Sequence, residues 1–216
     1  MFYALDLETN TNPGDGLDPT NPLTTITSAA VYFGPRANET GPEGSIVFDD
    51  PNEARLLRSL NAFFADPDTT PGVIVTWNGA NFDIPFLLTR SKFCEVTLDL
   101  TALVHESRKP KYSACKGHSG GYIAAWGDND HADIWPVFIP VAEKNNMKSG
   151  LKPMAKHFGF NPIEVKREEM DKLTVAERLA YNVSDVEVTY RLALRADQAG
   201  RIDRALDSQL YMPASV

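Results

Sequence analysis

Cysteine is almost missing from this chain: 216 residues contain two, Cys94 and Cys115. Their spacing gives neither a disulfide framework nor a C-x-x-C metal knuckle. Long apolar runs are missing too, and none approaches the ~18 residues that a membrane span needs. Positive charge is in deficit, with 21 Lys and Arg against 29 Asp and Glu and a net charge of −8. That balance argues against a protein that coats nucleic acid with its whole surface, and leaves room for a local basic groove. The N-terminus has no basic region and no small-residue cleavage site of the signal-peptide kind. What is present, 43% hydrophobic and 23% charged residues, describes an ordinary globular chain. Its length is enough for a full core, and no repeat or linker divides it. The expectation is a cytoplasmic enzyme or binding domain occupying 1–216 as one unit.

The chain opens on Phe2-Tyr3-Ala4-Leu5-Asp6-Leu7-Glu8-Thr9, an aromatic and aliphatic run ending in two acids. As a strand it turns Leu5 and Leu7 to one face of the sheet and Asp6 and Glu8 to the other, roughly 6.5 to 7 Å apart. Turn-rich residues 10–22 follow, then strands at 24–33 and 45–48, an antiparallel start to the sheet. The period then changes. Leu56, Leu57, Leu60, Phe63 and Phe64 recur at helical spacing, with Asp50 as the expected N-cap and Pro51 in the first turn. An apolar strand at 73–77 leads through Asn78-Gly79 into a second helix over 81–92. Such alternation implies an α/β fold with parallel strands.

Residues 101–130 read as the least regular part, with a basic loop over 105–120. Arg108, Lys109, Lys111 and Lys116 are interleaved there with Tyr112 and His118, a composition suited to gripping a single strand of nucleic acid or simply to a solvated loop. A zinc site built on Cys115 and His118 is an alternative for this stretch. A strand at 131–135, short helices at 137–146 and 151–158, and a long helix from 174 to about 198 complete the pattern. On that last helix one apolar stripe carries Leu179, Val183, Val186, Tyr190 and Leu194. A second carries Tyr181, Asp185, Val188 and Leu192. Asp185 is therefore a carboxylate in an apolar stripe, where it needs a partner. Asp83 falls in the first turn after a strand, a place for a helix-dipole acid or for a ligand group. Two like charges on one face of a buried strand also call for a cation between them.

Taken in order, Asp6-x-Glu8, then Asn78-x-x-x-Phe82-Asp83, then Tyr181-x-x-x-Asp185 resemble the three exonuclease motifs of the DEDD superfamily. The Tyr four residues before the last Asp is the mark of its DEDDy branch. The stretch Trp77-Asn78-Gly79-Ala80-Asn81-Phe82-Asp83-Ile84-Pro85-Phe86 is similar to the proofreading exonuclease domain of family B DNA polymerases. Leu151-Lys152-Pro153-Met154-Ala155 is similar to the Lys-x-x-hydrophobic motif found between the second and third of these. The resemblance implies a DnaQ-like, ribonuclease H-like fold: a central mixed sheet, antiparallel first and parallel after, flanked by helices in three layers. It runs from residue 2 to about 195, and so implies an exonuclease domain standing alone.

What the resemblance implies chemically is a 3′–5′ exonuclease releasing nucleoside monophosphates from single-stranded DNA ends by a two-metal-ion mechanism. Asp6, Glu8, Asp83 and Asp185 would hold two Mg²⁺ or Mn²⁺ ions, the hard oxygen ligands suiting either. Tyr181 would orient the attacking water and Lys152 would steady the scissile phosphate. Thr9, Asn78 and Phe82 would bind the 3′-terminal nucleotides. Asp133, between the second and third motifs, reads as structural. The alternatives are a 3′–5′ exoribonuclease, a non-catalytic nucleic-acid-binding relative, and a ribonuclease H-like endonuclease. Protein partners are not legible.

Overall fold

The structure, a computed structural model, describes residues 1–10, 18–105 and 121–210. A seven-stranded mixed sheet runs through it, built from β1 (Phe2–Thr9), β2 (Ile26–Gly34), β3 (Gly44–Phe48), β4 (Val73–Thr76), β5 (Leu100–His105), β6 (Gly121–Trp126) and β7 (Asn129–Asp133). The spatial order is β3-β2-β1-β4-β7-β6-β5. Strands β1, β4 and β7 are mutually parallel, and every other pairing is antiparallel. The helices are α1 (Glu53–Ala65), α2 (Asp83–Phe93), α3 (Trp135–Lys144), α4 (Leu151–His157), α5 (Val175–Gln198) and α6 (Arg201–Leu210).

Alternation along β1 decides which layer sees which residue. Tyr3, Leu5 and Leu7 join the core made with Leu56, Leu57 and Leu60 of α1 and Ile84, Phe86 and Leu87 of α2. Phe2 and Ala4 join the opposite core, made with Val186, Tyr190 and Ala193 of α5 and Phe138 of α3. Asp6 and Glu8 continue the second set, so both acids come out under α5. The parallel strands β1, β4 and β7 end on one edge, which gathers Glu8 and Thr9, then Trp77 and Asn78, then Asp133. In open α/β sheets that edge is where ligand groups collect.

Three sequence expectations change. Helix α1 is capped by Asn52, whose side chain accepts from the Arg55 N–H at 3.1 Å. Asp50 instead accepts from the Asn52 N–H at 2.7 Å and from the Arg55 guanidinium, so it braces the turn outside the helix. Residues 101–130 are not an irregular stretch throughout: β5 and β6 form an antiparallel pair from Leu100↔Trp126 to His105↔Gly121. Alternation in 121–126 is weak because Gly and Ala occupy three of its six positions. The basic-loop and Cys115/His118 readings fall on 106–120, outside the described residues. On α5 the buried line also takes in polar Asn182 and Thr189, which apolar periodicity passes over. No helix among the described residues is long and apolar enough to cross a membrane.

One buried ion pair braces the approach to the site. Arg90, 1% exposed on α2, donates to Glu53 at 2.5 and 2.9 Å and to the carbonyls of Pro19 and Asn21. Glu53 in turn accepts from the Ile26 N–H at 2.8 Å. The pair thus ties the segment entering β2 to both helices of one layer. Removing one member leaves a desolvated charge, at a cost of about 3–5 kcal/mol. Arg90→Ala is expected to lower the melting temperature by roughly 10 °C, measured by differential scanning calorimetry. An unchanged transition would show that the pair carries no net stability.

Candidate metal and nucleic-acid site

The site forms where β1 ends against the first half of α5. Helix α5 is started firmly by a capping box: Thr174 accepts from the Glu177 N–H while the Glu177 side chain accepts from the Thr174 N–H. It then crosses β1 so that Asn182 meets Asp6 and Asp185 faces the same cluster. One carboxylate oxygen from each of Asp6, Glu8 and Asp185 lies within 4.8 Å of the others. Lys152, at the start of α4, forms an ion pair with Asp185 and lies over the Tyr181 ring, 4.2 Å from its centroid. Tyr181 sits one helical turn before Asp185 and is half-buried.

The electrostatics follow from crowding like charges with little water. Burial pushes the Asp6 carboxyl up to about 6, against the pull of Lys152 and Asn182. Burial and the Asp6 charge push Glu8 up to about 8, while Lys152 and Arg178 act in the other direction. Burial draws the Lys152 ammonium down to about 8, though Asp6 and Glu8 favour its charge. The Tyr181 phenol is raised to about 12, first by burial and then by Glu8 and Asp6. Four carboxylates, counting Asp83, face two cationic side chains, Lys152 and Arg178. The excess is negative and oxygen-only, and three of the acids, Asp6, Glu8 and Asp185, surround one centre, so these residues fit a hard divalent cation.

Asp83 stands beside this group rather than within the three-acid cluster. It is 2% exposed, and its Oδ1 accepts the Leu7 N–H at 3.1 Å. Strand β1 pairs with β4 only through Phe2, Tyr3 and Ala4, so the backbone beyond Ala4 is open to a side chain from α2. Burial first and the Asp6 charge second raise the Asp83 proton affinity. Asn78 and Phe82 occupy the turn between β4 and α2. Asn78 has a left-handed backbone, φ 65°, which Asn tolerates better than most residues. Gly79 is required next to it because a Cβ there would collide with the Thr76 side chain. Together Asp6, Asp83, Asn78, Phe82, Trp77 and Trp135 line a cleft of about 420 Å³ that opens beside the acids. The Phe82 ring both borders the cleft and packs on Phe86, 4.7 Å between centroids. Thr9 is half-buried at the end of β1.

Residues 4–119 match the family described as DNA polymerase family B, exonuclease domain. The chain belongs to that exonuclease-domain family. The match contains Asp6, Glu8 and Asp83, while Lys152, Tyr181 and Asp185 lie beyond it. Longer alignments reach relatives that include two catalytic subunits of DNA polymerase epsilon. The chain is 30% identical to that of Schizosaccharomyces pombe over 171 residues, 76% of this chain and 7% of the relative. It is 28% identical to that of Kluyveromyces lactis over 154 residues, 69% of this chain and 6% of the relative. The chain therefore spans less than a tenth of either relative. Its fold is similar to that of the family B DNA polymerase from the hyperthermophilic archaeon Pyrobaculum calidifontis. The TM-score is 0.59 at 21% identity, covering 90% of this chain and 24% of that one.

Two residues beside the acid cluster, Asn182 and Arg178, were absent from the sequence expectations, while Asp133 has the structural part expected of it. Asn182, fully buried, donates to Asp6 Oδ2 at 2.9 Å and accepts from the Ser28 hydroxyl at 3.3 Å. Arg178 lies near Glu8 and lowers its proton affinity. A signal existed for both, since 178, 182 and 185 share one helical face. Asp133 accepts the N–H groups of Asn78 at 2.8 Å and Ala80 at 3.3 Å, so its structural part is to pin the turn that carries Asn78.

The raised carboxylates carry a pH consequence in the metal-free protein. A folded acid with an elevated pKa binds more protons than its unfolded counterpart between the two values, so stability falls as pH rises through that window. For Glu8 the window runs from 4.5 to about 8. Buried His131, lowered from 6.5 to about 4, has the opposite slope and is silent above 6.5. Thermal melts in EDTA are therefore expected to lose stability between pH 6.5 and 8, and Glu8→Gln is expected to flatten that decline. Parallel slopes for the two proteins would contradict the assigned burial of Glu8.

Proposed function

We propose that the chain is a metal-dependent 3′–5′ exonuclease of the DEDDy type. It would hydrolyse phosphodiester bonds at the 3′ end of single-stranded DNA and release nucleoside monophosphates. The observation that carries this reading is the convergence of Asp6, Glu8 and Asp185 within 4.8 Å, with Asp83 alongside, in a member of the family B polymerase exonuclease-domain family. A binding module gains nothing from four crowded acids, among which the Asp6 charge raises the proton affinity of Glu8 and Asp83.

In this reading Asp6, Glu8, Asp83 and Asp185 hold two divalent cations, Mg²⁺ or Mn²⁺. When bound, such ions supply Lewis acidity and charge stabilisation for in-line phosphoryl displacement. The chain's own residues supply the rest. Asn182 fixes the rotamer of Asp6 through the 2.9 Å hydrogen bond. Lys152 brings a positive charge beside Asp185, where it steadies a phosphate oxygen. Tyr181, its phenol raised to about 12, stays protonated at neutral pH, so it orients water as a hydrogen-bonding group and does not act as the base. Thr9 and Asn78 offer a hydroxyl and an amide to sugar and phosphate. Phe82 offers the ring edge of the cleft to a base. The link to proofreading rests on the polymerase relatives alone.

The test is direct. Purified protein with Mg²⁺ or Mn²⁺ is given 5′-labelled single-stranded DNA and RNA, with Asp6→Ala in parallel. DNA is expected to shorten stepwise from its 3′ end, and the variant to be at least about a hundredfold slower. Shortening of RNA alone would replace the substrate in this reading, internal cuts would replace the reaction, and labelled strands of unchanged length with both ions would refute it.

A further inference from the structure

Helix α5 and strand β1 run in opposite directions across each other, and their side chains meet in rungs. Asn182 meets Asp6 at 2.9 Å. The next rung along the strand is Glu8, about 6.6 Å further on, and four residues back along the helix, about 6 Å, stands Arg178. Arg178, Asn182 and Asp185 thus occupy one face of α5, with Tyr181 beside them. Arg178 makes no ion pair within 4 Å among the described residues: Glu8 has none, and the ion pair to the acid cluster is made by Lys152 to Asp185. The Arg178 Nε is buried and has no hydrogen-bond partner. The guanidinium always carries its charge, and a buried guanidinium N–H without an acceptor is costly. Structures rarely leave such a donor unmet, so the acceptor is expected from outside the chain.

We propose that Arg178 is a substrate-binding residue that grips an anionic oxygen of the nucleic-acid phosphodiester backbone as the strand passes Glu8 and Thr9. This rests on the exonuclease reading above and adds a contact to it. A guanidinium fork matches phosphate geometry better than any other side chain. Its position at the Glu8 rung sets it at the end of the acid cluster, where the guanidinium meets no carboxylate within 4 Å among the described residues. It would bind strand without regard to sequence, since phosphate contacts position the nucleic acid and do not read bases. The near-neutral sum of charge left once cations fill the acid cluster makes a separate cationic anchor useful to a chain of net charge −8.

The experiment compares wild type, Arg178→Gln and Arg178→Lys. Binding of a fluorescent single-stranded oligonucleotide is measured by anisotropy in EDTA across a salt series. Shortening of the same oligonucleotide is followed with Mn²⁺, and Mn²⁺-induced thermal stabilisation is recorded without nucleic acid. Arg178→Gln is expected to weaken binding about tenfold, to flatten the salt dependence by roughly one phosphate contact (a slope change of ~0.7), and to raise KM more than it lowers kcat. Arg178→Lys is expected to recover part of the affinity because the charge remains. Stabilisation by Mn²⁺ is expected to be the same in all three. Unchanged affinity and salt slope in Arg178→Gln would overturn the proposal, as would loss of Mn²⁺ stabilisation, which would make Arg178 a positioning residue for Glu8. Wild type that binds the strand but never shortens it would refute the exonuclease reading while leaving the Arg178 contact measurable.

Discussion

The constraint on which this structure turns is the placing of like charges at the end of a central strand. Strand β1 is the third of seven, paired along its whole length with β2 and briefly with β4. Phe2 to Leu5 are almost fully enclosed, and Asp6 and Glu8 then bring two acids under a helix. Such a strand would be more stable with apolar residues in those places, since burial and mutual repulsion both disfavour the charged forms. The surroundings relieve the cost only in part. Lys152 pairs with Asp185, Asn182 donates to Asp6, and the Leu7 N–H goes to Asp83. The remaining negative excess is what divalent cations would satisfy.

The rest of the fold can be understood as the apparatus that brings this excess together. Two acids come from β1, a third from the first turn of α2 and a fourth from the middle of α5. These elements are distant in sequence: the parallel strands β1 and β4 bring the first three acids to one edge, and α5 adds Asp185 by packing across β1. Asp133, at the end of β7, holds the Asn78–Ala80 turn through two backbone N–H groups, and so links the last parallel strand to the start of α2. On the other layer, the Arg90–Glu53 pair fixes the chain where it enters β2. Positioning of this kind is worth more to a metal site than any one ligand, because coordination demands geometry and not just charge.

Much of this was legible in the chain. Period-2 alternation over 2–9 put both acids on one face, and period 3.6 over 179–194 put Asp185 in a packed stripe. Glycine at 79 and asparagine at 78 announced the turn before Asp83. Three things were not legible, each for a physical reason. Strand β6, Gly121–Trp126, has too little contrast between its faces for alternation to show. Asp50-Pro51-Asn52 offers two capping side chains, and only tertiary placement decides that Asn52 caps α1 while Asp50 braces Arg55. Asn182 and Arg178 are polar residues on a buried helical face, and hydrophobic patterning registers them as exceptions. Their meaning emerges only when β1 is laid across α5.

Whether the crowded acids hold metal is tested most directly by isothermal titration of the purified chain with Mn²⁺. Two ions per chain are expected for wild type, with proton release that grows as pH is lowered from 8, because the raised Glu8 and Asp6 carboxyls must give up protons to bind. Asp185→Ala is expected to lose at least one of the two. A wild-type titration that shows no binding at millimolar Mn²⁺ near neutral pH would contradict the central claim.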